Sequence, residues 1–298
     1  MAKVDTRYAV DALSQCLERL GAEGRAAIMG VVNVTPDSFY DGGRFLVNSA
    51  AQNRILELVA QGADIIDIGA ESSRPGAAAI PVAIQLERLD FALGFALEQG
   101  LPVSIDTTLP EVAEVCLRRG AHIINDVSCL RQPALAEVAA RFGSWLVLMH
   151  SRVAMSEMQG YSLWPDDDYA DIVEDVAQDW GRARERAVEM GVMASKIIFD
   201  PGFAFSKNAR HSYELLQRLG EFKRLGAPIL AGVSRKSFLA WEDRSPPAQR
   251  LGGSIAGALL ALQQGASLLR VHDVLETRQA ESVLRATARP QTVLLNRN

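Results

Sequence analysis

Residues that would tie the chain covalently or hold a structural metal are scarce. The three cysteines, Cys16, Cys116 and Cys129, are odd in number, far apart and never in a CxxC pair. That excludes a disulfide framework and fits a reducing, cytoplasmic setting. Only four histidines occur, and none forms HxH or HExxH, so a structural zinc has no ligand set. No apolar run approaches the roughly 18 residues a membrane span needs, and Met1-Ala-Lys-Val-Asp opens a mixed polar segment rather than a signal peptide. Positive charge is not in excess. A net charge of -5 gives no electrostatic footprint for nucleic acid. Neither GxGxxG nor GxxxxGK[ST] is present, which leaves dinucleotide and P-loop chemistry without support.

What the sequence does have is a recurring two-part unit. Short runs rich in Val and Ile lie at 26–32, 64–69, 102–106, 121–126, 145–150, 196–200, 228–234 and 267–272. They are continuously apolar rather than alternating, as in parallel strands buried on both faces. Helix-length amphipathic stretches separate them, including QNRILELVAQGA, PEVAEVCLRRGA and DYADIVEDVAQDWGRARERAVEMG. Several end at a glycine suited to a left-handed C-cap, namely Gly62, Gly120, Gly191 and Gly265. Pro110 is placed to open a helix at N1.

Eight such cycles in 298 residues predict a single (β/α)8 TIM barrel. A doubly wound sheet would use fewer strands and a Gly-rich first turn. Val10, Leu13, Leu17 and Leu20 have helical spacing and predict an extra N-terminal helix over 8–20, placed to cover the barrel floor. The expected organisation is an extension over 1–24, the barrel over 25–290 and a tail over 291–298, with no linker dividing the chain.

Barrel active sites lie at the C-terminal ends of the strands. Those ends carry Asn33; Asp67 and Glu71; Asp106; Asn125 and Asp126; His150; Asp200; Ser234, Arg235 and Lys236; and Arg270 with His272. One such residue alone is as often a turn or cap. Eight sets around one mouth make a site. Asp and Asn at the ends of strands 3, 4 and 6 suit a flat heterocycle with a guanidine-like donor edge. Arg74, Arg270, His272, Ser73 and Lys236 suit an anion such as a phosphate. Nothing compels a covalent mechanism: no nucleophilic cysteine stands at a strand end, and Cys129 reads as a small buried hydrophobe.

With the residues set out, NVTPDSFYDGG, DIGAESSRPGA, SIDTT, IINDVS, DPGF, GVSRKSFL and RVHDV together resemble the dihydropteroate synthase family, in order and on the expected strands over about residues 28–280. The resemblance implies condensation of 6-hydroxymethyl-7,8-dihydropterin pyrophosphate with p-aminobenzoate, through departure of pyrophosphate and a pterin cation. It implies that Asp106, Asn125, Asp200, Lys236 and Arg270 bind the pterin, with Asp106, Lys236 and Arg270 catalytic. Asn33, Ser73, Arg74, Arg270 and His272 would bind pyrophosphate, and Asn33 would ligate Mg²⁺. Phe39, Ser73, Pro75, Phe205, Lys236 and Ser237 would form the aminobenzoate slot. The opening loop, stiffened by Pro36 and hinged at Gly42-Gly43, would close over the site together with ESSRPGA. The resemblance also implies a homodimer, small-molecule partners only, and a sulfonamide target.

Two loops depart from the family pattern. After strand 5, MHMxGxPxxMQ is replaced by MHSRVAMSEMQ, and after strand 6, DPGxGFxK is replaced by DPGFAFSK, so Ala204 stands where glycine is usual. These changes motivate a competing reading, a pterin-binding paralogue without turnover. A methyltetrahydrofolate-binding barrel is a second rival, but it would lack NVTPDSF and SRKS. Elsewhere, Asp166-Asp167-Asp168 reads as a cap for the next helix, Arg182–Arg186 as a solvated helix face, and His122 and His211 as ordinary packing or surface residues.

Overall fold

The computed structural model describes residues 12–34, 43–71, 80–158 and 160–292, with side chains of 43–47 and 292 excepted. After helix α1 (Ala12–Ala22) the chain runs β1 (Ala27–Asn33), α2 (Gly43–Ala60), β2 (Ile65–Gly69), α3 (Val82–Glu98), β3 (Val103–Asp106), α4 (Pro110–Arg118), β4 (Ile123–Asp126) and α5 (Ala134–Phe142). It continues through β5 (Trp145–Met149), α6 (Ile172–Glu189), β6 (Ile197–Asp200), α7 (Ala209–Gln217), β7 (Leu230–Ala231), α8 (Leu251–Gln264), β8 (Leu268–Val271) and α9 (Val274–Ala288). The eight strands follow the order β6-β5-β4-β3-β2-β1-β8-β7, all parallel. A bridge between Phe199 and Ile229 joins β6 to β7. The result is the expected (β/α)8 barrel.

All eight apolar runs become strands, though β7 is two residues long rather than seven. Helix α2 begins at Gly43, well before the stretch read from periodicity. Pro110 does open α4, and Gly62, Gly120, Gly191 and Gly265 take positive φ of 88°, 111°, 98° and 101°.

Alternation along the strands builds two cores. Outward residues such as Ile66, Ile105, Ile124, Leu146 and Phe199 pack under the helices. Inward residues Ala27, Met29, Ile65, Ile123, Trp145, Val147, Ile198, Leu230 and Leu268 fill the lower barrel and meet Leu13, Cys16 and Leu20 of α1. The first helix therefore plugs the floor, as its spacing predicts, while residues 8–11 lie outside the described residues. Two positions above four of these inward apolar residues, period 2 brings a polar one to the same face: Asp67 above Ile65, Asn125 above Ile123, Asp200 above Ile198 and Arg270 above Leu268.

Candidate active site at the strand C-termini

Register sets the spacing of these groups. Asn33 pairs with Gly69, Gly69 with Asp106, and Asp106 with Asn125, so one row crosses four strands. A side chain at Gly69 would begin 3.5 Å from Asp106 Cβ and 3.6 Å from Asn33 Oδ1. The glycine keeps the space between them open.

The cup is charged and mostly buried. Arg270 donates from Nε to Asp67 Oδ2 at 2.7 Å and from Nη2 to Asp106 Oδ2 at 2.8 Å. Asn125 Nδ2 also reaches Asp67 Oδ2, at 3.4 Å. Across the cup, a Cβ on Gly232 would lie 3.7 Å from Asp200 Oδ2, 3.9 Å from Lys236 Nζ and 4.0 Å from Arg270 Cβ. Asp106, Asn125, Asp200, Lys236 and Arg270 thus surround one space, as the sequence predicts. The other oxygen of Asp200 accepts the Gly202 N–H at 2.7 Å.

Burial sets the electrostatics. Desolvation outweighs the neighbouring Arg270 and, helped by Asp67, Asp126 and Glu71, pushes Asp106 up to about 7. Desolvation lowers Lys236 to about 7 against the pull of Asp200. It raises Asp200 against Lys236. His272 is pushed down to about 4 by burial, with Arg270 and Arg235 adding to it. Its Nδ1 lies 3.1 Å from Ser234 Oγ.

The residues expected to form the aminobenzoate slot are partly described. Phe205 packs with Met149 and Met158 and meets Tyr161 edge-on at 5.5 Å. Lys236 Nζ sits 4.3 Å from the Phe205 ring centre and donates to the Phe203 carbonyl at 2.7 Å. Ser237 Oγ lies 2.8 Å from Ser162 Oγ. Phe39, Ser73, Arg74 and Pro75, with the closing motion assigned to their loops, lie outside the described residues.

Several strand ends serve other purposes. Asp126 accepts from Ser128 N, Ser128 Oγ and Leu130 N, so it shapes a turn. Glu71 accepts from Ile80 N and Gln85 Nε2. Arg235 pairs with Asp273. The helix cap read at 166–168 is corrected: Asp171 caps α6, accepting from Val173 N and Glu174 N. Asp166 instead binds Arg210 and Asn208, and Asp168 binds Arg152 and Trp164. His211 is fully buried, edge-on to Tyr169 at 5.0 Å. Among strand-end residues, Asp67 received no role from sequence, although its spacing from Ile65 was the available signal.

Among the described residues no group of three or more His, Cys, Asp or Glu side chains could hold a metal. The amide oxygen of Asn33, exposed at the mouth, is still a suitable donor for Mg²⁺, which keeps waters and substrate phosphates as most of its ligands. Among those residues no helix is long and apolar enough to cross a membrane.

Comparison with known proteins covers most of the chain. The pterin binding enzyme family matches residues 29–272. The dihydropteroate synthase of Escherichia coli K12 is 40% identical over 265 residues, 87% of this chain and 91% of that protein. The Xanthomonas albilineans dihydropteroate synthase with 4-aminobenzoic acid superposes with a TM-score of 0.81 at 40% identity, covering 89% of this chain and 94% of the other. The same enzyme with 7,8-dihydropteroate gives 0.78 at 38% identity, covering 89% and 94%.

Proposed function

The chain belongs to the dihydropteroate synthase family of pterin-binding enzymes, and from that membership we propose that it joins 6-hydroxymethyl-7,8-dihydropterin pyrophosphate to p-aminobenzoate, releasing pyrophosphate, in folate biosynthesis. The observation that carries this reading is the cup in which Arg270 bridges Asp67 and Asp106 while Asn125, Asp200 and Lys236 face the same space.

The proposed roles follow from the donor set. Asp200 and Asn125 offer an acceptor and an amide to the donor edge of a pterin. The planar guanidinium of Arg270, held at its edge by two carboxylates, leaves its faces for stacking on the ring. As the exocyclic C–O bond breaks, its electron pair leaves with pyrophosphate and positive charge spreads from the methylene into the ring. The Asp106 carboxylate then stabilises that charge more strongly than it does the neutral substrate, the difference catalysis requires. By the family resemblance, Arg270, His272 and Asn33, with Ser73 and Arg74 outside the described residues, would bind the departing pyrophosphate. Mg²⁺ held by Asn33 would offset the pyrophosphate's charge. The aniline nitrogen attacks the methylene with its own lone pair and then loses a proton, so no strong base is required.

A steady-state assay of pyrophosphate release with both substrates tests the reading. Turnover that depends on p-aminobenzoate supports it; binding of the pterin diphosphate without turnover would mark the chain as the non-catalytic paralogue. The free cysteines accord with a cytoplasmic enzyme. Exposed Leu251 and Leu260 of α8, with Leu275 and Val283 of α9, supply apolar surface for a homodimer. Sulfonamides, which share the aniline ring of p-aminobenzoate, would compete for the slot at Phe205, Lys236 and Ser237.

A further inference from the structure

The loops that follow β5 and β6 are joined by buried polar groups that this chemistry does not use. Ser206 has no exposed surface, and its Oγ accepts the amide N–H groups of Arg152 at 3.1 Å and Val153 at 3.3 Å. It also lies 3.2 Å from Ser151 Oγ. Ser151 spends its own proton on the Val153 carbonyl, at 2.8 Å, so Ser206 donates between the two hydroxyls. The Ser206 hydroxyl is thereby saturated, with two bonds accepted and one donated. Its own carbonyl accepts from Tyr169 Oη at 2.8 Å.

Lys207 is equally buried. Its Nζ lies 2.8 Å from His150 Nδ1, 3.0 Å from the Phe205 carbonyl and 3.5 Å from the His150 carbonyl. With Nδ1 accepting, the imidazole carries its proton on Nε2, which donates to Asp179 Oδ2 at 3.1 Å. Gly202 fits beneath this lock because a Cβ there would fall 2.0 Å from the His150 carbonyl oxygen. Between Gly202 and Lys207, Ala204 and Ser206 both adopt positive φ, 66° and 48°. L-residues avoid that region, and it persists where the surroundings over-determine it.

The locked segment supplies the surroundings of one cation. The Phe203 carbonyl accepts from Lys236, and the Phe205 ring lies over the same ammonium. Ser151, which stands where the family pattern has methionine, meets Ser206 two residues beyond Ala204, so the two altered loops act on one another. We propose that Ser206 and Lys207 are positioning residues for the second substrate: by clamping the β5 and β6 loops together they hold Phe205, beside Lys236, as a fixed wall of the aminobenzoate slot. This rests on reading that slot as the aminobenzoate site.

The test compares the whole chain with its Ser206→Ala and Lys207→Met variants, using the pterin diphosphate and p-aminobenzoate as probes. The expected result is a KM for p-aminobenzoate raised at least ten-fold, a kcat lowered less than three-fold and a pterin Kd within two-fold. Amide hydrogen exchange over residues 201–206 should quicken at least ten-fold. If Lys207→Met does not fold, Ser206→Ala, which removes one hydroxyl, decides alone. An unchanged KM, or a KM that rises only in step with the pterin Kd, overturns the proposal. Absence of turnover in the unaltered chain defeats the functional reading instead. In that case equilibrium binding of p-aminobenzoate to pterin-loaded protein, with the exchange rates, decides: equal values in the parent and Ser206→Ala overturn the proposal.

Discussion

At Asp67, Arg270 and Asn125 share one carboxylate oxygen, while Oδ1 is buried with no hydrogen-bond partner among the described residues. Removing a carboxylate from a buried pair leaves its cation uncompensated, which costs about 3–5 kcal/mol. Asp67→Ala leaves Arg270 paired with Asp106, so it is expected to lower the unfolding free energy read from urea denaturation by less than that and to raise the pterin KM, since Arg270 loses one of its two anchors. Lys236→Ala should leave the fold intact and reduce kcat/KM by about 100-fold or more, the scale seen when a preorganised charge is removed; stopped-time product assays and circular dichroism read the two effects. Asp106 gives a pH dependence of definite sign. Its native pKa, about 7, lies above its ordinary value of 3.8. Between those values the native protein keeps a proton that the unfolded chain releases, so stability falls as pH rises through the window. The slope is at most about 1.4 kcal/mol per pH unit. Because burial holds His272 down at about 4, with the opposite sign below its ordinary 6.5, the Asp106 contribution is read as a difference. The urea-derived stability of the ligand-free protein minus that of Asp106→Asn should fall as pH rises through the window.

At the scale of elements, the strands present the site by simple alternation, and small residues decide how much room remains. Gly232 borders Asp200, Lys236 and Arg270 at ordinary van der Waals distances, so Gly232→Ala should fold normally yet weaken pterin binding about ten-fold, roughly 1.4 kcal/mol, by titration calorimetry. Helix α6 distinguishes two readings of its approach. Asp171, not the 166–168 run, accepts the first-turn amides, so Asp171→Ala should cost about 1 kcal/mol. Asp167→Ala should stay within about 0.5 kcal/mol. The run of three acids looks like a cap because charge alone suggests dipole compensation. The cap is assigned by the side chain that reaches the amides, and the Asp166 carboxylate is already held by Arg210 and Asn208.

For the molecule as a whole, the barrel separates stability at its floor from chemistry at its mouth. Leu20, about 1% exposed, packs with the inward residues of the strands, and Leu20→Ala should cost about 2–5 kcal/mol while the kcat of the folded fraction holds. The sequence by itself determined the eight-unit architecture, because continuous apolar strands and amphipathic helices are local patterns. It also singled out Asp106, Asn125, Asp200 and Arg270, because each stands at or near the end of an apolar run. Only the tertiary structure decided that Arg270 is held by Asp67, that His150 turns away from the cup toward Lys207, and that Ser151 and Ser206 meet. Those contacts join residues 55 to 203 positions apart, and a hydrogen bond across such a distance depends on how the strands close into a barrel, which no local pattern records.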